Sequence, residues 1–442
     1  MLPNALFIVL HAGLLVLFPR GIAARLTQVD IACPGYTSIV AEISLPLTGP
    51  AYEAAVNESN ALYAGIFNFT FTYLVDPVNA GGPYTLFEGS VPLIAPWYYR
   101  SYERSPETVR AIITPGSIDP TNVHQLAANW NIITMITSGS GKSQYRLPAP
   151  VVIGLSFTPV AYTALIFVDI LRLFNWATVF LMRTVSSANV SLLNFKLRAV
   201  LTEFRGSSRV MIFLARDNSV RELMLVAQSL DMTTGDFVYL AYDPTAVLKV
   251  ESFTMWKMGK KDDDAAKEAF RSLLMIHVRD EERQLLNSER VQLMKEQVRV
   301  RSEQEFNVTL SPANHPPAGM VNAYRSIQIF AQVLNESKHQ HGVASLFNGY
   351  NLSRMFLDRT FPSDLFDIFI DGEGNRRMEF AVSYFAADMG GQRRVLLQQA
   401  KREGFRLERG QNISSSWPNG KWPPPNEPKC GYANEKSICN RG

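Results

Sequence analysis

The sequence predicts an α/β protein in which parallel sheets are covered by helices and arranged in two lobes. Three observations carry this prediction. Short apolar strands alternate with amphipathic helices along much of the chain, a pattern typical of parallel sheets. The 442 residues exceed one ordinary core, so two or three domains of roughly 150 residues are expected. The composition, 47% hydrophobic and 19% charged, is that of a globular protein and excludes global disorder.

Neither the charge nor the cysteine content indicates nucleic acid or zinc. The 43 basic and 40 acidic residues leave a net charge of +3, too balanced to favour a nucleic acid as the main partner. Three cysteines exclude a disulfide-dense scaffold, and no CxxC motif or Cys/His cluster predicts a metal site. We therefore expect no metal and no other cofactor.

The first 24 residues have the pattern of a secretory signal peptide. Residues 6–18 are an apolar run, LFIVLHAGLLVLF, and small residues follow at Gly21, Ala23 and Ala24. This pattern predicts a signal peptide over residues 1–24, cleaved after Ala23 or Ala24. An N-terminal membrane anchor is the alternative, but the run falls short of the about 20 residues that a span needs.

Potential glycosylation sites support export. Chance would give about three Asn-x-Ser/Thr sequons in a chain with this many asparagines, and the sequence has seven. Their asparagines are Asn57, Asn68, Asn189, Asn307, Asn335, Asn351 and Asn412.

The cysteines also fit an oxidising compartment. Cys430 and Cys439 lie close together near the end of the chain, with a glycine and an asparagine between them, and predict a local disulfide. Cys33 then remains as an intermolecular thiol, a buried free cysteine or half of a bond whose partner is missing.

In the first part of the chain, strands are predicted at 109–113 and 132–136, with a helix between them that begins at Thr121. The most hydrophobic block follows them. Its strand 151–155, helix 159–174 and strand 177–182 predict one βαβ unit. A membrane span is the alternative here, but the helix has only about 16 residues and is interrupted by charged side chains.

In the second part, strands are predicted at 209–214 and 237–241, with a helix at 219–229 between them. Residues 260–305 are rich in Glu, Arg, Gln and Leu. Their leucines are spaced too unevenly for a coiled coil, so the segment predicts an insertion of surface helices. A longer helix follows Pro317, with apolar residues three and four positions apart.

Toward the end of the chain, a short helix is predicted at 350–357. Two strands, 365–370 and 378–385, flank the turn residues 371–375, DGEGN, and predict a β-hairpin. The proline-dense tail at 411–442 predicts an extended connector rather than a packed element.

Two loops have the composition of nucleotide or calcium sites without the required spacing. Residues 138–143, SGSGKS, follow a strand, but Ile136 stands where a phosphate-binding loop needs its first glycine. Residues 371–375 resemble the start of a calcium loop, but Arg376 stands where that loop needs glycine. No G-x-S-x-G or H-E-x-x-H motif indicates catalysis.

Several segments resemble the extracellular region of receptor-type guanylyl cyclases, particularly those of nematodes, and of natriuretic peptide receptors. Residues 109–132 are VRAIITPGSIDPTNVHQLAANWNI, similar to a first-lobe strand, turn and helix of that family. Residues 208–243 are SRVMIFLARDNSVRELMLVAQSLDMTTGDFVYLAYD, which contain a motif resembling Met-Thr-x-Gly-(Asp/Glu)-(Tyr/Phe)-Val-Tyr of the second lobe. Later segments, including FDIFIDGEGNRR and WPPPNEPKCGYANEKSIC, follow in the same order.

This resemblance implies a type I periplasmic-binding-protein-like fold, with two doubly wound lobes, an interlobe cleft and a juxtamembrane disulfide that carries over to Cys430 and Cys439. The expected first lobe is mostly 30–155. The expected second lobe is 156–310, with the helical insertion 260–305 inside it. Residues 311–410 are expected to complete both lobes, and 411–442 to form the juxtamembrane-like tail.

The sequence departs from the family in two places. The family's Gly-Pro-Cys turn is Pro115-Gly116-Ser117 here, so this turn offers no partner cysteine for Cys33. Family members continue into a membrane span, a kinase-like region and a cyclase, whereas this sequence stops at Gly442. We therefore expect no cyclase activity from this chain, and contact with a membrane only through a span outside it.

The expected function is that of an extracellular ligand-binding receptor domain of the guanylyl cyclase type. Its occupancy by a small molecule or peptide would be transmitted by lobe or dimer rearrangement, and a homodimer on the outer side of the plasma membrane is expected. A secreted decoy that binds the same ligand is an alternative. A second alternative is an enzyme whose site has no recognisable motif.

Ligand contacts are expected from loops at strand ends, where N–H groups and hydroxyls converge in α/β sheets. The candidate residues are Gly116, Ser117, Ser138, Gly139, Ser140, Ser156 and Arg216.

Overall fold

A computed structural model describes most of the chain. The described residues are 26–37, 44–76, 83–115, 121–137, 151–156, 160–183, 190–214, 217–242, 255–279, 288–310, 317–365, 367–399, 405–408, 413–433, 435–436 and 439.

The first sheet has five parallel strands in the order β2-β1-β3-β4-β5. Strands β3, β4 and β5 are buried at every position because both faces are covered there, whereas the edge strand β2 alternates apolar with polar residues. In β3, Ile113 faces the large core while Ile112 faces a smaller core with Ile94 and Val123. The strands are β1 Thr27–Pro34, β2 Phe67–Leu74, β3 Val109–Thr114, β4 Ile133–Ile136 and β5 Val152–Gly154.

Helices from both halves of the chain surround this sheet. The early ones are α1 Leu45–Leu62, α2 Pro83–Arg104 and α3 Thr121–Trp130. The late ones are α8 Glu289–Phe306, α9 Pro317–His341 and α10 Gly349–Arg354. Helix α8 lies against α1, where Ser302 Oγ donates to Pro46 O and Arg301 pairs with Glu53. The predicted boundary at residue 310 is therefore wrong, because α8 packs in the first lobe.

The second sheet has seven strands in the order β14-β13-β12-β9-β8-β7-β6. Strands β6 to β9 are parallel, and β12 to β14 join them antiparallel. These strands are β6 Val179–Arg183, β7 Val210–Leu214, β8 Val238–Tyr242, β9 Leu273–Val278, β12 Phe380–Ala386, β13 Gln392–Gln399 and β14 Phe405–Leu407. The predicted α/β class with mainly parallel sheets is confirmed.

Alternate residues of the second sheet contribute to two different cores. Phe213 and Tyr239 pack in a core with residues of α5 Val190–Ser207, α6 Asp217–Ser229 and α7 Asp263–Phe270. Ile212 and Leu240 point the other way, into the large core shared with the first lobe. This period-two division is what a strand covered on both faces requires.

The predicted βαβ unit at 151–182 is wrong in its topology. Strand β5 ends the first sheet and β6 ends the second, and α4 Val160–Leu173 joins them across the lobes. The apolar composition of the two strands is the same whichever sheet they enter. The strand and helix pattern therefore predicts the elements but not their pairing.

The predicted helical insertion at 260–305 is also wrong. It contains β9, whose six residues are all buried between β8 and β12. A parallel strand covered on both faces is a continuous apolar run, here LLMIHV. In the sequence, the charged helical segments on both sides of this run obscure its strand pattern.

The predicted hairpin around 371–375 forms only its turn. β11 Ile368–Ile370 pairs with β10 Arg359–Phe361, whereas β12 pairs with β9 and β13. Asp371 Oδ1 accepts the N–H groups of Glu373 and Asn375 at 3.0 Å each. The turn residues thus act as expected, but they direct the chain from the first lobe into the second sheet.

The tail is packed, contrary to the predicted extended connector. Trp417 is 1% exposed and its ring lies 4.5 Å from that of Trp422. The ring of Trp422 also lies 5.1 Å from Phe174 and 5.7 Å from Trp176, just beyond α4. We call these four side chains the aromatic clasp. Three tryptophans supply enough buried area to fix a proline-rich segment.

Across the described ranges, no helix combines the length and apolar character that crossing a membrane requires.

Candidate ligand-binding site at the carboxyl edge of the first sheet

The order of the first sheet places a topological switch point at the carboxyl ends of β1 and β3. The chain leaves β1 toward one neighbour, β2, and later enters β3 on the other side of β1. In open α/β sheets, ligands bind outside the carboxyl ends of strands at such a point of reversal. The described residues around it are unusually polar for a buried region.

Hydroxyl groups connect the ends of β3 and β4 to α1. Tyr52 Oη lies 2.7 Å from Thr137 Oγ1, and Thr137 Oγ1 donates to Thr114 O at 3.3 Å. Thr137 N also donates to Thr114 O, at 3.0 Å. Burial raises the pKa of Tyr52 well above its ordinary value, so the phenol remains protonated.

An amide and a guanidinium extend this network from α9 and from the turn before β12. Asn322 Nδ2 donates to Thr137 O at 3.0 Å, and Asn322 Oδ1 accepts from Arg376 Nη1 at 2.8 Å. Arg376 is 2% exposed, so a positive charge lies inside the protein beside this edge. Arg376 N donates to Gly154 O at 2.7 Å, which fixes the turn against the end of β5.

Gly154 allows this close approach. A Cβ atom at this position would lie 2.9 Å from Asn375 Oδ1, closer than carbon and oxygen can approach. The backbone of Gly154 is also hydrogen-bonded to the turn, because Gly154 N donates to Gly374 O at 2.7 Å. Any side chain here would separate β5 from the turn.

Tyr36 supplies a hydroxyl at the end of β1. The residue is 2% exposed, and its Oη has no hydrogen-bond partner among the described residues. Burial raises its pKa to about 12. A buried hydroxyl without a partner costs about 1–3 kcal/mol, and a ligand that hydrogen-bonded to it would recover that cost.

The predicted site residues are only partly within the described residues. Ser156 is buried two positions after β5, at the edge just described. The other six candidates lie outside the described residues: Gly116, Ser117, Ser138, Gly139, Ser140 and Arg216. Their part in ligand binding remains a prediction.

Sequence reasoning missed Tyr36, Tyr52, Asn322 and Arg376. One signal was present, because Asn322 interrupts the apolar stripe of α9 and is nevertheless 2% exposed. In the sequence, Arg376 is notable only because it stands where a calcium loop needs glycine. Contacts between residues 322, 376 and 137 depend on the long-range fold, so no local pattern could have indicated them.

The described side chains of this site can form hydrogen bonds and a charge interaction with a ligand. It offers hydroxyl, amide and guanidinium groups, and among the described residues no group of His, Cys, Asp and Glu side chains could hold a metal ion. Cys33, in β1, is a free and fully buried cysteine, and burial raises its pKa. A protonated thiol is a poor nucleophile.

The structure joins Cys430 to Cys439, with Cα atoms 5.5 Å apart. The sequon asparagines differ in accessibility. Asn57, Asn307 and Asn351 are exposed, Asn68 and Asn335 are half-buried, and Asn189 and Asn412 lie outside the described residues. Whether any of them carries a glycan remains a prediction.

Comparison with known proteins identifies receptors that are similar to this chain. The chain is 28% identical over 246 residues to the receptor-type guanylate cyclase gcy-28 of Caenorhabditis elegans, covering 54% of this chain. It is 26% identical over 224 residues to atrial natriuretic peptide receptor 3 of Bos taurus, and 25% identical over 223 residues to the human receptor of that name, covering 50% of this chain in each case. No protein-family model matches the chain.

The chain is thus homologous to receptor-type guanylate cyclases and natriuretic peptide receptors over about half its length, which confirms the resemblance. The matched stretch is 18% of the guanylate cyclase and 39% of each natriuretic peptide receptor. It covers the receptor region of the guanylate cyclase rather than its cyclase domain. The two sheets, in which parallel strand pairs predominate overall, are consistent with the periplasmic-binding-protein-like fold expected for that region.

Proposed function

We propose that this chain is an extracellular ligand-binding region of a guanylyl-cyclase-type receptor, acting as a homodimer on the outer side of the plasma membrane. It binds a peptide or a small molecule between its lobes, at the carboxyl edge of the first sheet. The observation that carries the proposal is the homology with receptors over half of the chain. The Tyr36 hydroxyl, which has no hydrogen-bond partner among the described residues, and the buried polar network support the position of the site.

The aromatic clasp supports a route by which occupancy reaches the tail. Helix α4 connects β5 of the first sheet to β6 of the second and ends beside Phe174. Trp176 Nε1 donates to Pro424 O at 2.9 Å, and Asn426 Oδ1 accepts from Thr178 N at 2.9 Å. A rotation of one lobe against the other therefore displaces the tail through the end of α4.

The first experiment selects peptides from a displayed random library against the secreted chain and measures their affinity. Tyr36→Phe should weaken the selected peptides about tenfold, because a hydrogen bond to a buried hydroxyl is lost. Tyr63→Phe, on a half-buried tyrosine at the other end of α1, is the matched control and should leave affinity unchanged. A selection without enriched peptides, or equal effects of the two variants, would contradict the proposed site.

A further inference from the structure

A second cavity lies at the opposite, amino edge of the first sheet. Its volume is about 250 Å³, and it is enclosed by the start of β3, the start of β4, the end of α2 and residues 346–352. It is distinct from the proposed ligand site at the carboxyl edge, because the two lie at opposite ends of the same strands. Tyr98, Tyr102, Arg110, Trp130 and Phe347 are among the residues that line it.

Arg110 provides the charge of this cavity. The residue is 7% exposed, and its guanidinium donates to Ser101 O and Ser105 O at the end of α2, at 2.6 Å each. It also donates to Ser101 Oγ and to Thr108 O. These four bonds leave one of the five guanidinium N–H groups unused.

The charge of Arg110 is not neutralised by a direct ion pair in the described part of the chain. The carboxylate of Asp30 is connected to Arg110 through Ser101 Oγ, which accepts from Arg110 Nε at 3.1 Å and donates to Asp30 Oδ2 at 3.0 Å. None of the described residues that line the cavity is acidic. Burial lowers the pKa of Arg110, the direction expected when a cation is removed from water.

Two more lining residues, Thr108 and Asn131, carry side-chain donors. Thr108 Oγ1 and Asn131 Nδ2 belong to lining residues and donate no hydrogen bond to another described residue. Asn131 is held in place by its other groups, since its O accepts from Gly349 N and its Oδ1 from Tyr350 N, at 2.9 Å each. The cavity thus presents a cation and neutral donors without an anion.

The walls are aromatic. The rings of Tyr98 and Trp130 stack 4.0 Å apart, and the Tyr102 ring lies within 18° of parallel to that of Tyr98. Arg110 lies 5.4 Å from the centroid of Tyr102. A volume of about 250 Å³ is below the 300–1,000 Å³ typical of drug-sized ligands, so one ring with a short arm is the largest suitable occupant.

We propose that this cavity binds a small aromatic carboxylate, with its ring against Tyr98 and Tyr102 and its carboxylate accepting from Arg110, Thr108 and Asn131. The site is independent of the ligand site at the carboxyl edge. The cavity is lined by residues of α2 and by residues 346–352. A molecule bound there can therefore change the position of these elements in the first lobe, at the edge opposite the proposed ligand site.

The test uses 4-fluorophenylacetate with the secreted full chain and follows fluorine relaxation by NMR. A dissociation constant on the order of 1 mM is expected for a ligand of this size. The neutral analogue 4-fluorophenylacetamide should bind about tenfold more weakly, since it lacks the charge that Arg110 attracts. Equal binding of acid and amide, or no change in relaxation at 10 mM, overturns the proposal.

Two matched variants test the aromatic wall. Tyr102 lines the cavity and is 50% exposed, whereas Tyr99 on the same helix is 55% exposed and is not among the lining residues. Tyr102→Leu should weaken the acid at least fivefold and Tyr99→Leu should not. An equal loss in both variants also overturns the proposal. Arg110→Gln should abolish the preference for the acid over the amide. A thermal melting curve shows whether this variant is folded. If it is not folded, the comparison of Tyr102→Leu with Tyr99→Leu decides the outcome.

Discussion

Asn322 joins two buried groups from distant parts of the sequence. Its amide donates to Thr137 O and accepts from Arg376 Nη1, so one side chain of α9 connects the end of β4 to the turn before β12. A polar side chain on the apolar face of a helix is stable only if its donors and acceptors are satisfied. Asn322 meets that condition.

Replacing Asn322 by leucine should therefore destabilise the protein. The change deprives two buried groups of a partner, and we expect a loss of about 2–4 kcal/mol in the free energy of unfolding. Urea denaturation measures this loss. Asn57→Ala, on the exposed face of α1, is the control and should change stability by about 0.5 kcal/mol or less. A loss below 1 kcal/mol in the leucine variant would show that the network is not formed.

Tyr36 makes stability depend on alkaline pH. Burial raises its pKa to about 12, above the value of about 10 in an unfolded chain. The folded state then keeps a proton that the unfolded state releases. This contribution is complete below pH 10 and is lost as pH rises toward 12.

The Tyr36→Phe variant should consequently lose less stability between pH 10 and 12 than the unmodified protein, by up to about 2 kcal/mol. At pH 7 the variant should be at least as stable as the unmodified protein, by up to about 1–3 kcal/mol, because it lacks a buried hydroxyl that has no partner among the described residues. Urea denaturation at pH 7, 10 and 12 gives the comparison, with exposed Tyr350→Phe as the control. Parallel pH curves for all three proteins would contradict the assigned burial.

Strand β9 is the element whose position most changes the fold expected from the sequence. All six of its residues are buried, and it lies between a parallel neighbour, β8, and an antiparallel one, β12. It is the point at which the parallel half of the second sheet meets the antiparallel half. Amides in such a strand exchange only when much of the domain unfolds.

Hydrogen exchange can distinguish this strand from a surface helix. We expect amides of residues 273–278 to exchange as slowly as those of β8. Helix α8 has only four buried residues, and its amides should exchange faster through local opening. Mass spectrometry of peptides from both segments gives the rates. Exchange at 273–278 as fast as in α8 would contradict the central position of β9.

The aromatic clasp fixes the tail to the end of α4. Trp422 contacts Phe174, Trp176 and Trp417, so Trp422→Leu removes the ring that the other three share. We expect amides of residues 417–433 to exchange at least tenfold faster, and the free energy of unfolding to fall by about 1–3 kcal/mol. Trp130→Leu, in the first lobe, should leave exchange in the tail unchanged. Unaltered tail exchange in Trp422→Leu would rule out the clasp.

At the scale of the whole molecule, the sequence predicted the elements better than their arrangement. Alternation of apolar strands with amphipathic helices indicated β3, β4, β7 and β8 to within one or two residues. Pairing depends on contacts between distant residues. The assignment of β5 and β6 to different sheets, and of β9 to a sheet centre, therefore had no local signal.

Local sequence patterns also predicted only part of the proposed ligand site. Ser156 could be placed at a strand end from the pattern of β5 alone. Tyr36 belongs to the site because β1 lies at the reversal of strand order, and Arg376 because the turn after β11 returns to the first sheet. The positions of Tyr36 and Arg376 follow from the sheet topology. The hydrophobic periodicity of a single sequence does not predict that topology.

The central claim is that the chain binds its ligand at the carboxyl edge of the first sheet, between the lobes. Hydrogen exchange of the secreted chain, with and without a selected peptide, tests it most directly. Protection is expected in residues 35–37, 44–52 and 154–156, with smaller changes in the tail at 417–433. Protection confined to α8 or to α5, with the edge of the first sheet unaffected, would contradict it.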